Sequence, residues 1–257
     1  MPPESYEGNP DFVLSLARGL TVIEAFEERP DGATVGDIAV RTGFSRAAVR
    51  RLLITLETLG YASHSGPVYR LSSRVLRLGF SYLSSNSLLS LAGPVLEEVT
   101  AAIHESSSLS TLEGDEIVYL ARSATHRVMS VGLSVGSRLP AWCTSMGRVM
   151  LASLERDELA AYLERVELKP LTPHSITDRT AFAAELDRVR TQGYSLVDEE
   201  LEIGLRSLAV PVRTRSGRVV AAMNTGVHAA RVQPEEMLTR FLPVLREAAT
   251  RLAIALT

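Results

Sequence analysis

The sequence predicts an α+β fold in two unequal parts, and three observations carry that expectation. Three short segments with helical apolar spacing lie between residues 12 and 59 and run into a hairpin pattern. A Ser-Asn stretch, Ser84 to Ser87, then interrupts the patterning. Beyond it, helical and strand-like segments alternate to the C-terminus. The 257 residues, 46% of them hydrophobic and 22% charged, suit a small domain joined to a medium one.

The elements follow in order. Phe12 to Glu28 reads as a helix, with Val13, Leu16, Leu20, Ile23 and Phe26 apolar, and Pro30-Asp31-Gly32 breaks it. Thr34 caps a short second helix, with Asp37 three residues on in the capping-box position and Gly43 as its stop. Ser45 caps a third, from Arg46 to Leu59, whose stripe is Val49, Leu52, Leu53, Leu56 and Leu59. A hairpin is expected next: Tyr61 to His64, a Ser65-Gly66-Pro67 turn, then Val68 to Leu71. Ser73 to Ser85 reads as a linker helix whose stripe of Val75, Leu78, Tyr82 and Leu83 needs a partner. The organisation is therefore a disordered arm at 1–11, a three-helix-and-hairpin domain at 12–72, a linker helix at 73–87 and a larger domain at 88–257. In the larger domain, helices are expected near 89–104, 144–154, 157–166, 178–192 and from Pro234 to the end. Strands are expected near 107–112, 116–123, 128–135, 194–199, 206–213 and 218–225.

Composition narrows the classes. No apolar run approaches the roughly 20 residues of a membrane span, and the polar N-terminus lacks signal-peptide architecture. A single cysteine, Cys143, excludes an intrachain disulfide and fits a reducing cytoplasm, the expected location. The net charge of −3 hides an asymmetry. Between residues 40 and 80 stand Arg41, Arg46, Arg50, Arg51, Arg70, Arg74 and Arg77, against Glu57 as the only acid. A local positive face of this kind is what displacement of counterions from phosphate requires.

Helix, short helix, basic helix and hairpin together describe a winged helix-turn-helix. The turn Thr42-Gly43-Phe44-Ser45 joins the second and third helices, which lets the third lie in a major groove of operator DNA. Opposite its leucine stripe the third helix carries Arg46, Ala47, Arg50 and Arg51. Arginine pairs with guanine or phosphate, and alanine permits close approach. Ser45, His64 and Ser65 (the last two at the wing tip) and Arg18 on the first helix complete the DNA-facing candidates.

Ordered motifs then carry a resemblance. SLARGLTVIEAF, TVGDIAVRTGFSRAAVRRLLITLETLGY and YRLSSRVLRLG resemble the winged-helix and linker segments of the IclR family of bacterial regulators. RLPAWCTSMGRVMLA, VDEELEIGLRSLAVPV and AAMNTGVHAAR resemble its effector-domain signatures, so the similarity spans about residues 12 to 257. ARSATHRVMSVGLSVGSRLPAWCTSMGR is further similar to the PcaR/PcaU/PobR branch, whose members govern protocatechuate, 4-hydroxybenzoate and β-ketoadipate catabolism. The resemblance implies a GAF-like antiparallel-sheet effector domain, a homodimer or tetramer, and a small organic acid as effector. RNA polymerase is a further candidate partner; no cofactor, metal, membrane or enzymatic activity is expected.

Carried over by motif, the effector pocket comprises Val128, Leu139, Ser145, Met146, Ser207, Asn224 and Gly226. Ser207, Asn224 and Gly226 depart from the glyoxylate-responsive members, which argues against glyoxylate itself as the ligand; a regulator of glyoxylate or sugar-acid metabolism is the alternative reading. Chemistry adds Thr144, whose hydroxyl and helix-start position suit an anion, and Met129 and Trp142 as apolar walls. Arg122, Arg127, Arg138 and Arg148 are candidate carboxylate partners. Other chemistry reads weakly. Ser145-Met146-Gly147 lacks the first glycine of a nucleophile elbow, Cys143 reads as packing, and the five histidines show no metal spacing. The carboxylates Asp198, Glu199, Glu200 and Glu202 read as a solvated loop that orders the Gly204-Leu205-Arg206 turn. A sensing module that acts through protein contacts is the alternative of a different class, disfavoured by the basic stretch.

Overall fold

The computed structural model describes residues 9–27, 29, 31–79, 87–125 and 133–255. They fall into two compact units that divide between Ser85 and Asn86.

In the first unit, helices α1 (Leu14–Glu24), α2 (Val35–Thr42) and α3 (Arg46–Thr58) enclose a core of Val22, Phe26, Ile38, Val49, Leu53 and Leu56. The expected capping box is present: Thr34 Oγ1 accepts from Asp37 N, and Asp37 Oδ2 accepts from Thr34 N at 2.9 Å. These bonds hold the exposed Asp37 carboxyl below its ordinary range. Gly43 turns the chain at φ 72°, a left-handed conformation that glycine adopts without a Cβ penalty. Ser45 Oγ then accepts from Ala48 N and starts α3. Strands β1 (Ala33–Thr34), β2 (Ala62–Ser65) and β3 (Val68–Leu71) form an antiparallel sheet in the order β1-β3-β2.

Three expectations shift here. Helix α1 is shorter than 12–28, because Ala25 to Glu27 already turn. Leu59 is 53% exposed, outside the core stripe, because α3 stops at Thr58 and Leu59 is its C-cap. Ser65 belongs to β2, so the hairpin tip is Gly66-Pro67. Beyond the wing, Ser73–Val75 form a 3-10 turn and 76–79 continue helically; the rest of the expected linker helix, with Tyr82 and Leu83, lies outside the described residues.

The second unit begins with α4 (Ser87–Ile103). Its sheet comprises β4 (Ser107–Glu113), β5 (Glu116–Ser123), β6 (Arg138–Pro140), β7 (Ser195–Asp198), β8 (Leu205–Arg213) and β9 (Val219–His228). The strand order is β6-β5-β4-β9-β8-β7, antiparallel throughout. Period-two alternation sends Leu109, Leu208, Val210, Ala221 and Met223 to one face, against α4 and the C-terminal helix α8 (Leu242–Ala255). It sends Ala209 and Ala222 to the other, against α5 (Ser145–Leu151), α6 (Arg156–Arg165) and α7 (Arg179–Gln192). The expected strand 128–135 is not found in its described part: 133–137 are loop, and the next strand is the three-residue β6. The single expected C-terminal helix begins with one turn, Pro234–Glu236, and a π-helical Met237–Phe241 before α8.

Every residue of α5 is buried. Its approach to the preceding loop requires Gly147, because a Cβ there would run into the backbone of Ala141. Gly147→Ala is expected to cost about 1–3 kcal/mol through overpacking, read by denaturant unfolding of the second unit. Gly19→Ala in α1 meets nothing within 4 Å, and should instead stabilise the first unit by about 0.5–1 kcal/mol.

Candidate functional site

The first unit presents its basic residues as the sequence places them. Arg46, Ala47, Arg50 and Arg51 are exposed on α3, while Val49 and Leu53 are fully buried. Arg18 is exposed on α1, with its guanidinium 5.6 Å from the centre of the Phe44 ring in the turn. Ser65 is exposed at the end of β2. His64 is not a free tip residue. Its Nδ1 lies 2.7 Å from Glu57 Oε1, which ties the wing to α3 and occupies the only acid of residues 40–80. Beside this face runs an apolar groove of about 1050 Å³, bordered by Leu16, Leu20, Ile54, Leu59 and Leu78, with Arg51 at its edge.

In the second unit a cavity of about 60 Å³ lies between the sheet and the start of α5. It collects Leu139, Thr144, Ser145, Met146, Ser207, Asn224 and Gly226, seven of the residues the sequence singles out. Val128 and Met129 lie outside the described residues. Trp142 does not line the cavity. It is 5% exposed within the core beneath α5, and its carbonyl accepts from Arg148 Nε at 2.9 Å.

The four arginines separate by environment. Arg138 is exposed and paired with Glu116 at 2.8 Å and Glu113 at 3.0 Å. Arg148 is buried and held by Glu200 through both nitrogens of its fork. Arg127 lies outside the described residues. Arg122 lines the cavity, where it donates to Ser108 Oγ at 3.2 Å.

Strand register explains how Arg122 arrives there. Ser108 stands opposite Arg122 on β5 and opposite Asn224 on β9, so the three form a row across adjacent strands. Tyr119 also lines the cavity, although residues three apart on a regular strand face opposite ways. A bulge resolves the conflict. Leu109 pairs with Ala121 and Ser110 with Tyr119, so Leu120 is the extra residue, and Tyr119 and Arg122 share a face. None of Ser108, Tyr119 and Arg122 could be assigned to the cavity from strand periodicity, because the bulge leaves no local signal.

Polar groups in the cavity are unequally engaged. The Thr144 hydroxyl accepts from Gly147 N at 3.2 Å and donates to Pro140 O at 3.1 Å, so it caps α5 and is not free for an anion. Ser145 Oγ is buried without a hydrogen-bond partner. Burial pushes the Tyr119 phenol up to about 12, an effect that the positive charge of Arg122 opposes, so it stays a neutral hydroxyl. Burial likewise pushes the Cys143 thiol up to about 12, and Cys143 lines the cavity wall as well as packing.

The carboxylates at the end of β7 and just beyond it are not a solvated loop. Asp198 pairs with Arg206 through two bonds of 2.8 Å, and Glu199 Oε2 accepts from Gly204 N at 2.9 Å, which does order that turn. Glu200 is 7% exposed and answers Arg148.

Two family models match the chain: the IclR helix-turn-helix domain over residues 15–66 and the bacterial transcriptional regulator IclR C-terminal domain over residues 80–254. The Pca regulon regulatory protein of Pseudomonas putida is 50% identical over 246 residues, covering 95% of this chain and 84% of that protein. The p-hydroxybenzoate hydroxylase transcriptional activator of Acinetobacter baylyi is 40% identical, covering 94% and 91%. A crystal structure of an IclR homologue from Microbacterium hydrocarbonoxydans, complexed with 4-hydroxybenzoate, superimposes with a TM-score of 0.83 at 26% identity, covering 94% of this chain and 98% of that one.

The Cys143 environment gives a direct check. With its pKa near 12, the thiolate fraction at pH 8 is roughly a thousandfold below that of a free cysteine. A thiol-directed reagent should label the native protein at least about a hundredfold more slowly than the urea-unfolded chain.

Proposed function

This chain belongs to the IclR family of bacterial transcriptional regulators, and from that premise we propose that it controls genes of aromatic-acid catabolism in response to a hydroxybenzoate-like acid. The observation that carries the reading is Arg122. Among the described residues it is the arginine that lines the cavity, and the partner it has there is a serine hydroxyl, not a carboxylate. A guanidinium so placed is matched by a carboxylate from outside. Leu133, Leu139 and Met146 supply apolar walls for a ring. The 50% identity to the Pca regulon regulatory protein supports the branch, and the homologue crystallised with 4-hydroxybenzoate supports the ligand class.

The cavity also suggests how an effector acts. About 60 Å³ is below the roughly 150 Å³ of an apolar cavity that takes up benzene. An aromatic acid must therefore push lining groups apart, so it binds one arrangement of the walls better than the other. That difference in affinity is what a ligand needs to shift a population.

At the DNA end, residues 12–72 form the reading domain, with 73–87 as linker and 88–257 as the sensing domain. Arg46, Ala47, Arg50 and Arg51 enter the major groove, and Ser45, Arg18, His64 and Ser65 approach the backbone. A second copy covers the apolar groove, since Leu16, Leu20, Ile54 and Leu59 are each more than 40% exposed there. The resulting dimer reads two half-sites in the bacterial cytoplasm, with RNA polymerase as the partner when the output is activation.

Two measurements test this. Calorimetry with 4-hydroxybenzoate and protocatechuate, against glyoxylate and sugar acids as controls, should find an aromatic acid the tighter ligand. Arg122→Met should weaken it by about tenfold to a hundredfold, the worth of a charged hydrogen bond. Binding of sugar acids alone sinks the branch assignment. In gel shifts with the upstream intergenic region, Arg50→Ala should weaken operator binding and lower the salt slope by about 0.9 per lost phosphate contact; an unchanged affinity and slope removes α3 from the groove.

A further inference from the structure

Arg148 is the largest fully buried side chain among the described residues, at 1% exposure, and it has three kinds of partner. Its Nε donates to Trp142 O at 2.9 Å, on the loop that leads into Cys143 and Thr144 of the cavity wall. Its two terminal nitrogens donate to Glu200 at 2.7 and 2.5 Å, immediately before Leu201, which lines the cavity from the opposite segment. A terminal nitrogen also stands 3.8 Å from Glu185 Oε1 on α7, whose other oxygen pairs with Arg188 at 2.6 Å. Glu200 is fixed in turn: its Oε2 accepts from Ile176 N at 3.1 Å, and its carbonyl accepts from Ser175 Oγ at 2.7 Å. Neither Arg148 nor Glu200 lines the cavity, yet each adjoins a segment that does.

The geometry points to a function for this ion pair beyond holding the fold. We infer that Arg148 and Glu200 are a positioning pair that fixes the spacing of two cavity walls, α5 with its leading loop on one side and the segment Leu201 to Leu205 on the other. The pair thereby sets the size of acid the cavity accepts. This rests on the acid-binding reading of the cavity given above. A bidentate guanidinium–carboxylate contact has one geometry, so it resists sliding in a way that apolar contacts of the same volume do not. A ring larger than the free volume must then be accommodated by the other walls, and a second fused ring must break the pair or be refused.

The test uses the full-length protein and two probes, 4-hydroxybenzoate and 6-hydroxy-2-naphthoate, with affinities from calorimetry. The wild type should favour the single ring by at least about tenfold, the discrimination a shaped pocket gives. The double variant Arg148→Met with Glu200→Leu replaces the pair by apolar groups, a change that buried ion pairs often tolerate. It should fold and keep its operator binding without effector, while the preference falls to within about threefold. Glu200→Gln keeps the shape and one acceptor, and its preference should lie between the two; it decides the matter if the double variant does not fold by circular dichroism.

An unchanged preference in the folded variants overturns the inference, as does an equal loss for both acids, which is what a purely structural role produces. If the wild type binds neither acid, the ligand reading itself falls and takes this inference with it. Intact binding with an unmoved ratio removes the inference alone.

Discussion

A charged guanidinium at 1% exposure is the constraint around which the sensing unit is organised. Removing such a group from water is costly unless every part of the charge finds a partner. Arg148 finds them on its own leading loop, at Trp142, and on two segments distant in sequence, at Glu185 and Glu200. For the charge to be satisfied, α5 must lie against the sheet at one depth, the loop after β7 must fold back over it, and α7 must close the side. Gly147 permits that depth, since its hydrogen is all that fits against the Ala141 backbone. The tight steric contact and the buried pair act on adjacent residues and enforce the same placement.

The parts of the fold that were legible in the sequence are the ones whose causes are local. Thr34 and Asp37 are three residues apart, and their reciprocal bonds depend on nothing else. Gly43, Ser45 and Asp178 likewise announce turns and helix starts that the structure contains. What was illegible depends on distant neighbours. Arg148 and Glu200 are 52 positions apart, so their carboxylate loop read as solvated. Four arginines of the same type were equivalent on paper, and burial and pairing alone separate the cavity-lining Arg122 from the surface-paired Arg138. Trp142 has the composition of a binding wall, but packs in the core and does not line the cavity. Three-residue β6 carries no periodicity to detect.

The two units deal with charge in opposite ways. On α3 the arginines are exposed and close together, which suits a polyanion whose own counterions leave on contact. In the sensing unit they are spent on internal partners: Arg148 on Glu200, Arg206 on Asp198, Arg231 on Glu105 at 2.7 Å. Arg122 differs in place: among the described residues it is the arginine that lines the cavity, and its hydroxyl partner and half-buried position suit a carboxylate.

The bulge at Leu120 bears on how such a site changes over time. Because it brings Tyr119 and Arg122 to the same face, the polarity of the cavity floor depends on a count of residues as well as on their identity. Deleting Leu120 would leave the two residues two apart on a regular pleat and still on one face, whereas losing the bulge at the present length would turn one of the two toward the α4 side of the sheet. No side chain would need to be replaced. A lineage of such proteins therefore has a route to a new cavity floor through gain or loss of a bulge at constant strand length, and column-by-column comparison of relatives misassigns this floor wherever the bulge is not shared.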